Sequence, residues 1–465
     1  MPHARLLRIS SFIFVPWAAA LCAFPTASCR TTATGAVEAA PLPGQWAVAE
    51  AMPDVVGPWL RHFGDDKVAA LVREALAHNR DLQAAAARMR VARAGAILAG
   101  AERFPAAGLS TGGDRGERIV DGERLRSENY ELSLNVSWEV DLWGRLRNRT
   151  RAAEAEAAAA EADFRGARLS VAANVAQAWF NAVEVQLQLD LAERTLETFT
   201  QDAAIAKEQF KRGIGNSIEI LLTEANVASA ESAAQGERRN LDTARRALEV
   251  LLGRYPSGEL AAADAYPELE RPVPAGLPSE LLMRRPDLLA SERRLLAAWE
   301  RSQDARKNRL PSLRLTGSRG TVSEAFEDLF DHNDVIGNIA AGLLAPLFEG
   351  GRLTAERWRA TALQDEALAV YAGDILTAFR EVESALRSES LLREEERALS
   401  LAQARALEAE QKARELWRRG LEPNILTLLE AQRRSLNTQQ NLLRVQNLRV
   451  QNRIDLYLAL GGPPE

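Results

Sequence analysis

Residues 130–147 read YELSLNVSWEVDLWGRLR, and two structural periods meet inside them. Tyr130, Leu132, Leu134, Val136, Trp138 and Val140 alternate with Glu131, Ser133, Asn135, Ser137 and Glu139. That period of two belongs to a strand with one apolar and one polar face. After Gly144 the period becomes helical, and Arg145 to Arg212 runs 68 residues without a proline. At ~1.5 Å rise per residue such a helix is about 100 Å long, a length rare in globular domains. A strand of membrane-spanning length therefore feeds directly into a rod.

The same order of parts occurs twice, about 206 residues apart. Asp81 and Leu82 answer to Asp287 and Leu288, Arg103 to Arg309, Pro105 to Pro311 and Leu109 to Leu315. Gly144-Arg145-Leu146 matches Gly351-Arg352-Leu353, and Arg212-Gly213 matches Arg419-Gly420, with the offset drifting to 207. The chain is an internal duplication, and each copy checks the other.

Each copy is expected to hold a leading helix, a β-hairpin and a long helical hairpin. In copy one, residues 63–260, these are a helix from Asp66 to Arg103, a hairpin over 105–141 and helices over 145–253. The Gly-, Arg- and Glu-rich stretch Gly112 to Glu128 reads as a solvent-reaching connection. In copy two, residues 261–465, the β-hairpin falls at 311–346 and the helices at 352–460. Both rods end in a basic residue and a glycine suited to a left-handed position, Gly213 and Gly420, before the return helix. Asn216 or Ser217 can cap the first return helix, and Pro423 suits the first turn of the second. Pro256, Pro267, Pro272, Pro274 and Pro278 mark a linker between the copies.

The formal net charge of -6 is small for 465 residues, and basic side chains alternate with acidic ones, so a nucleic-acid partner is excluded. His3, Arg5 and Arg8 precede an apolar run from Ile9 to Phe24, the pattern of an export signal over 1–28. Cys22 and Cys29 are the two cysteines of the chain, and cleavage before Cys29 leaves one, so no disulfide framework forms. Thr26-Ala27-Ser28-Cys29 resembles a bacterial lipobox with Thr26 in place of the usual leucine. Either Cys29 is lipidated and 29–62 is a tether at a membrane, or the segment is a plain signal peptide with an incidental cysteine.

The mature chain has no run of 18 apolar residues, so any membrane crossing is by strands. Strands of 9–11 residues suit a tilted transmembrane span, and they equally suit a half-buried strand of a soluble sheet. Four strands cannot close, and hydrocarbon does not tolerate unpaired edges, so membrane strands here require several chains sharing one barrel. The rods, rich in small alanines, fit either a hollow helical wall or a solid bundle. His62, His78 and His332 lie far apart without metal-ligand spacing, and no phosphate loop or nucleophile elbow occurs. No cofactor or enzymatic activity is expected.

Residues 132–147, LSLNVSWEVDLWGRLR, together with LFEGGRL at 347–353, GLEPNILTLLEAQ at 420–432 and LYLALG at 456–461, resemble the TolC-like outer-membrane efflux proteins, in particular their lipoprotein branch. The resemblance implies a mixed α+β membrane protein, a homotrimer whose chains give four strands each to a 12-stranded outer-membrane barrel continued by a helical coiled-coil tunnel into the periplasm. It implies docking of the tips, at Arg212, Gly213, Arg419 and Gly420, on a periplasmic adaptor protein and an inner-membrane efflux pump. It places lipid against Tyr130, Leu132, Leu134, Val136 and Trp138, and a constriction at Leu426 and Glu430, where an aspartate is usual in place of the glutamate. Arg418 and Arg419 then either pair with such carboxylates across chains or simply favour helix C-termini. The cargo expected is small molecules such as drugs or metals. Alternatives are an outlet for protein secretion and a periplasmic coiled-coil scaffold.

Overall fold

The computed structural model describes Phe63 and residues 66–462 except 121, 262, 264, 268, 270–281, 331–334 and 422–423. The export signal, Cys29 and the tether lie outside the described residues. The elements in order are α1 Asp66–His78, α2 Arg80–Ala101, β1 Ala106–Val120, β2 Glu123–Val140, α3 Arg145–Lys211, α4 Ser217–Leu251, α5 Pro286–Lys307, β3 Ser312–Ser323, a 3-10 turn Phe326–Phe330, β4 Val335–Leu344, α6 Arg352–Arg418 and α7 Ile425–Ala459. From α2 onward the order recurs in copy two as α5, β3, β4, α6 and α7. The return helices start at Ser217 and Ile425, an offset of 208, so the second tip turn is one residue longer.

The four strands form one antiparallel sheet in the order β1-β2-β3-β4. Gly112 to Glu128 is not a loop: β1 and β2 stay paired up to Val120 opposite Glu123. Cross-strand charges explain the extension, with Arg115 opposite Glu128 and their side chains paired at 2.7 Å. Opposite charges facing across a ladder stabilise it by about 0.2–1 kcal/mol a pair, so a segment of turn-like composition remains a strand.

The expected single helix from Asp66 to Arg103 is broken at Asn79, whose side-chain oxygen accepts from Leu82 N–H (2.9 Å) and caps α2. Asn79 also donates through Nδ2 to the Leu251 carbonyl (2.9 Å) at the end of α4. Arg285, its counterpart before α5, donates to the Ala459 carbonyl (3.1 Å) at the end of α7. The same joint thus holds a leading helix onto a return helix in both copies. Gly253 sits in it at φ +76, where an added Cβ would lie 2.5 Å from the His78 carbonyl oxygen, so only glycine fits.

α3 is continuous over 67 residues and packs on α2 and α5 in its first part and on α4 and α7 further along; α6, also 67 residues, packs on α5 and then α7. Ala152, Ala155, Ala159 and Ala162 of α3, spaced by three and four, are all buried, which lets the helix axes approach closely. The main core lies where the leading and return helices meet, around Trp179, Phe180, Val183, Leu248, Leu252, Ile454 and Leu456. Arg453, with 2% of its side chain exposed, is neutralised there by Glu389 at 2.5 Å.

Candidate functional site

Two regions stand out by their exposed surfaces: the sheet and the helical tips. By register, Leu109, Leu134, Arg319 and Gly337 share one level of the sheet, and Ala107, Val136, Gly317 and Ile339 the next. This face, which holds Tyr130, Leu132, Leu134, Val136 and Trp138, is apolar over its lower levels, through Leu315, Ile339 and Leu343. The opposite face carries Ser110, Ser133, Asn135, Ser137, Thr316, Ser318 and Asn338. There Asn135 donates to Ser110 Oγ (2.8 Å), a hydrogen-bonded surface fit to meet water.

Aromatic rings bound the apolar face. Tyr130 packs edge-on against Phe326 with centroids 5.7 Å apart. Eight residues along, Trp138 Nε1 donates to the Arg103 carbonyl (3.0 Å), and Trp143 Nε1 to that of Pro311 (2.7 Å). Eight residues span about 27 Å of strand, or roughly 20 Å across a bilayer at the usual tilt, on the scale of the ~25 Å apolar band of a barrel. All ten residues of β4 are exposed, Ile336, Ile339 and Leu343 included. Among the described residues no helix is long and apolar enough to cross a membrane.

At the other end, both tips are Schellman turns. Gly213 has φ +72 and Gly420 φ +70, and Ile214 N–H donates to the Gln209 carbonyl as Leu421 N–H does to that of Leu416, each at 3.0 Å. Asn216 caps α4 by accepting from Ile218 and Glu219 N–H. Asn424 caps α7 through Leu426 N–H at 3.0 Å, so the helix begins two residues after Pro423. Arg212 and Arg419 are exposed and pair with Glu208 and Glu415 of their own helices. Phe210, Ile214, Ile218, Leu221, Leu421 and Leu426 leave apolar surface at the tips.

Leu426 and Glu430 stand one turn apart on the exposed side of α7, whose other side buries Ile425, Leu428, Gln432 and Ser435. Glu430 accepts from Arg433 (2.7 Å) and Arg434 (3.2 Å), and these hydrogen bonds, Arg433 first, hold its carboxyl below the usual carboxylate range. Arg418 pairs within its own chain, 3.5 Å from Asp202 of α3. Asp202 is 3% exposed and also takes Gln432 Nε2 (2.7 Å) and Arg414 Nε (3.3 Å), clasping α3, α6 and α7 beside the cluster of Ala206, Trp417, Ile425 and Leu428. The sequence reading missed this clasp. The spacing of Glu430 to Arg433 and Arg434 was legible, whereas Asp202 lies 230 residues from Gln432. No group of three or more His, Cys, Asp or Glu placed to hold a metal occurs among the described residues.

The outer membrane efflux protein profile matches this chain twice, over residues 71–254 and 277–462. The chain belongs to that family. The two matches are the two copies of the duplication, so one copy is the family's repeating unit. The chain is 32% identical to the cation efflux system protein CusC of Escherichia coli over 87% of its length and 88% of that protein's. It is 31% identical to outer membrane protein OprJ of Pseudomonas aeruginosa, over 96% and 95% of the two chains. The solved structure of the CmeC outer membrane channel of Campylobacter jejuni superposes with a TM-score of 0.85 at 26% identity, covering 91% of each chain. The expected mixed α+β fold is therefore met. The protein is an outer-membrane efflux channel, a conduit rather than an enzyme.

Proposed function

We propose that three copies of this chain close one barrel, β4 of each pairing with β1 of the next, and that the rods continue it as a tunnel for small toxic molecules. The observation that carries this reading is the four-stranded sheet, open at both edges, with one face that is apolar at the levels of Val136, Trp138 and Val140. An even number of alternating strands leaves β1 and β4 antiparallel to each other, so identical copies join head to tail without a mismatch. Lipid covers Tyr130, Leu132, Leu134, Val136 and Trp138. Cys29, when lipidated, ties the N-terminus to the same membrane. Leu426 and Glu430 form the constriction, and the tips at Arg212, Gly213, Arg419 and Gly420 dock on a periplasmic adaptor linked to an inner-membrane pump. The similarity to the cation efflux system protein CusC supports small cargo over a secreted protein.

Two measurements test the reading. Cysteines scanned along β1 against Ile339→Cys in a C29-lipidated background should give disulfide-linked trimers for a run of alternate positions; monomers throughout would reject the shared barrel. Glu430→Ala should raise single-channel conductance in reconstituted trimers, and unchanged conductance would remove Glu430 from the constriction.

A further inference from the structure

We propose that the constriction is a cationic ring, so that this channel passes anions in preference to cations and suits anionic cargo. The inference rests on the reading above that the exposed stripe of α7 lines the tip opening, and it deepens that reading.

The duplication supplies an internal control. At the 208-residue offset of the return helices, Leu426 answers to Ile218, while Glu430, Arg433 and Arg434 answer to Leu222, Ala225 and Asn226. The apolar position is kept and the charges are confined to copy two. Between 204 and 226 three cations balance three anions, whereas 411–434 carries six cations and three anions. Packing needs of a return helix do not explain the difference, since α4 packs on α3 with neutral residues in the same places.

On α7, Arg433 and Arg434 follow Glu430 by three and four residues and so share its face. Both reach back to it, Arg433 to one carboxylate oxygen and Arg434 to the other. Both guanidiniums remain open to solvent, with side chains 68% and 74% exposed. Neither has another acidic partner among the described residues. One carboxylate thus meets two fixed positive charges, and the stripe carries a surplus of one positive charge per chain. Along the same exposed side the next charge is again basic, Arg444, after Asn437, Gln440 and Asn441. Arg418 and Arg414, the cations nearest on α6, are occupied by Asp202, so the clasp neither adds to the surplus nor cancels it.

Three copies would set three carboxylates among six guanidiniums around one opening. Rings of fixed charge select permeant ions of opposite sign at close quarters. A glutamate ring without the arginines would be anionic and would draw cations, so the sign of selectivity turns on two residues.

The test is the reversal potential of the reconstituted full-length mature protein in a potassium chloride gradient, for the wild type, R433Q/R434Q and R433K/R434K. The chloride-to-potassium permeability ratio should exceed one for the wild type and for R433K/R434K. It should fall by about threefold or more in R433Q/R434Q, which reverses the ring's charge. A cation-preferring wild type, or a ratio unmoved in R433Q/R434Q, overturns the proposal. If cation preference appears while E430A and R433Q/R434Q still change the conductance, the constriction stands and its charge assignment fails. If neither substitution changes conductance, the placement of the constriction fails with it.

Discussion

Replacing Asp202 by alanine should loosen the second tip from the first. The Asp202 carboxylate is buried and takes Gln432 at 2.7 Å, Arg414 at 3.3 Å and Arg418 at 3.5 Å. Removing one partner of a buried ion pair costs about 3–5 kcal/mol when it strands a charge. Stranding is incomplete here: Arg414 keeps Glu410 at 2.7 Å, and Arg418, 43% exposed, turns to water. The buried Gln432 amide loses its acceptor, which alone costs about 1–3 kcal/mol. The sum comes to about 2–3 kcal/mol, or a rise in local opening of roughly 30- to 150-fold. Hydrogen exchange of the amides at 425–435 reads it directly, and Asp202→Asn, which retains an acceptor for Gln432, should show a smaller rise. Unchanged protection there, or an equal loss along all of α7 as far as Arg453, would refute the idea that this carboxylate holds the tip.

Other perturbations separate the two faces of the sheet, the joint and the charged core. Val136→Arg places a charge on the proposed lipid side, at the uncharged level of Ala107, Gly317 and Ile339, and should cost about 2–4 kcal/mol within the apolar band, lowering the yield of heat-stable oligomer, while Asn135→Arg on the proposed water face should leave it intact. Gly253→Ala, forced to φ +76 with its Cβ against the His78 carbonyl, should lower stability by about 2–4 kcal/mol, read as a drop in melting temperature with the spectrum of the folded protein unchanged. Burial raises the carboxyl pKa of Glu184, against which the Asn447 hydrogen bond works. An acid whose folded pKa is raised destabilises the fold once pH rises through that value, so Glu184→Gln should stabilise the protein at neutral pH and lose its advantage on acidification.

Much of this architecture was legible in the chain. The strict alternation from Tyr130 to Val140, the proline-free rods and the paired Arg-Gly turns each follow a local rule, and the duplication let one copy correct the other. Gly112 to Glu128 has the composition of a loop, and its strand character rests on the cross-strand ladder with its neighbour, Arg115 opposite Glu128 included. The break at Asn79 was hidden because the helical apolar spacing continues across it; its cap on Leu82 is local, while its tie to the Leu251 carbonyl lies in another helix. At the tip, Glu430 could be placed by its motif, but its charge balance required seeing Arg433 and Arg434 reach back to it. The Asp202 clasp joins three helices far apart in sequence, and no local pattern announces such a contact.

The central claim is that this chain completes its sheet only by joining copies of itself into a hollow channel. Electron microscopy of the purified mature protein in detergent or nanodiscs tests it most directly. The account predicts a threefold particle, hollow along its axis, with a short barrel of four strands per chain at one end and the Gly213 and Gly420 turns at the other. A monomeric particle, or a rod with no lumen, would contradict it.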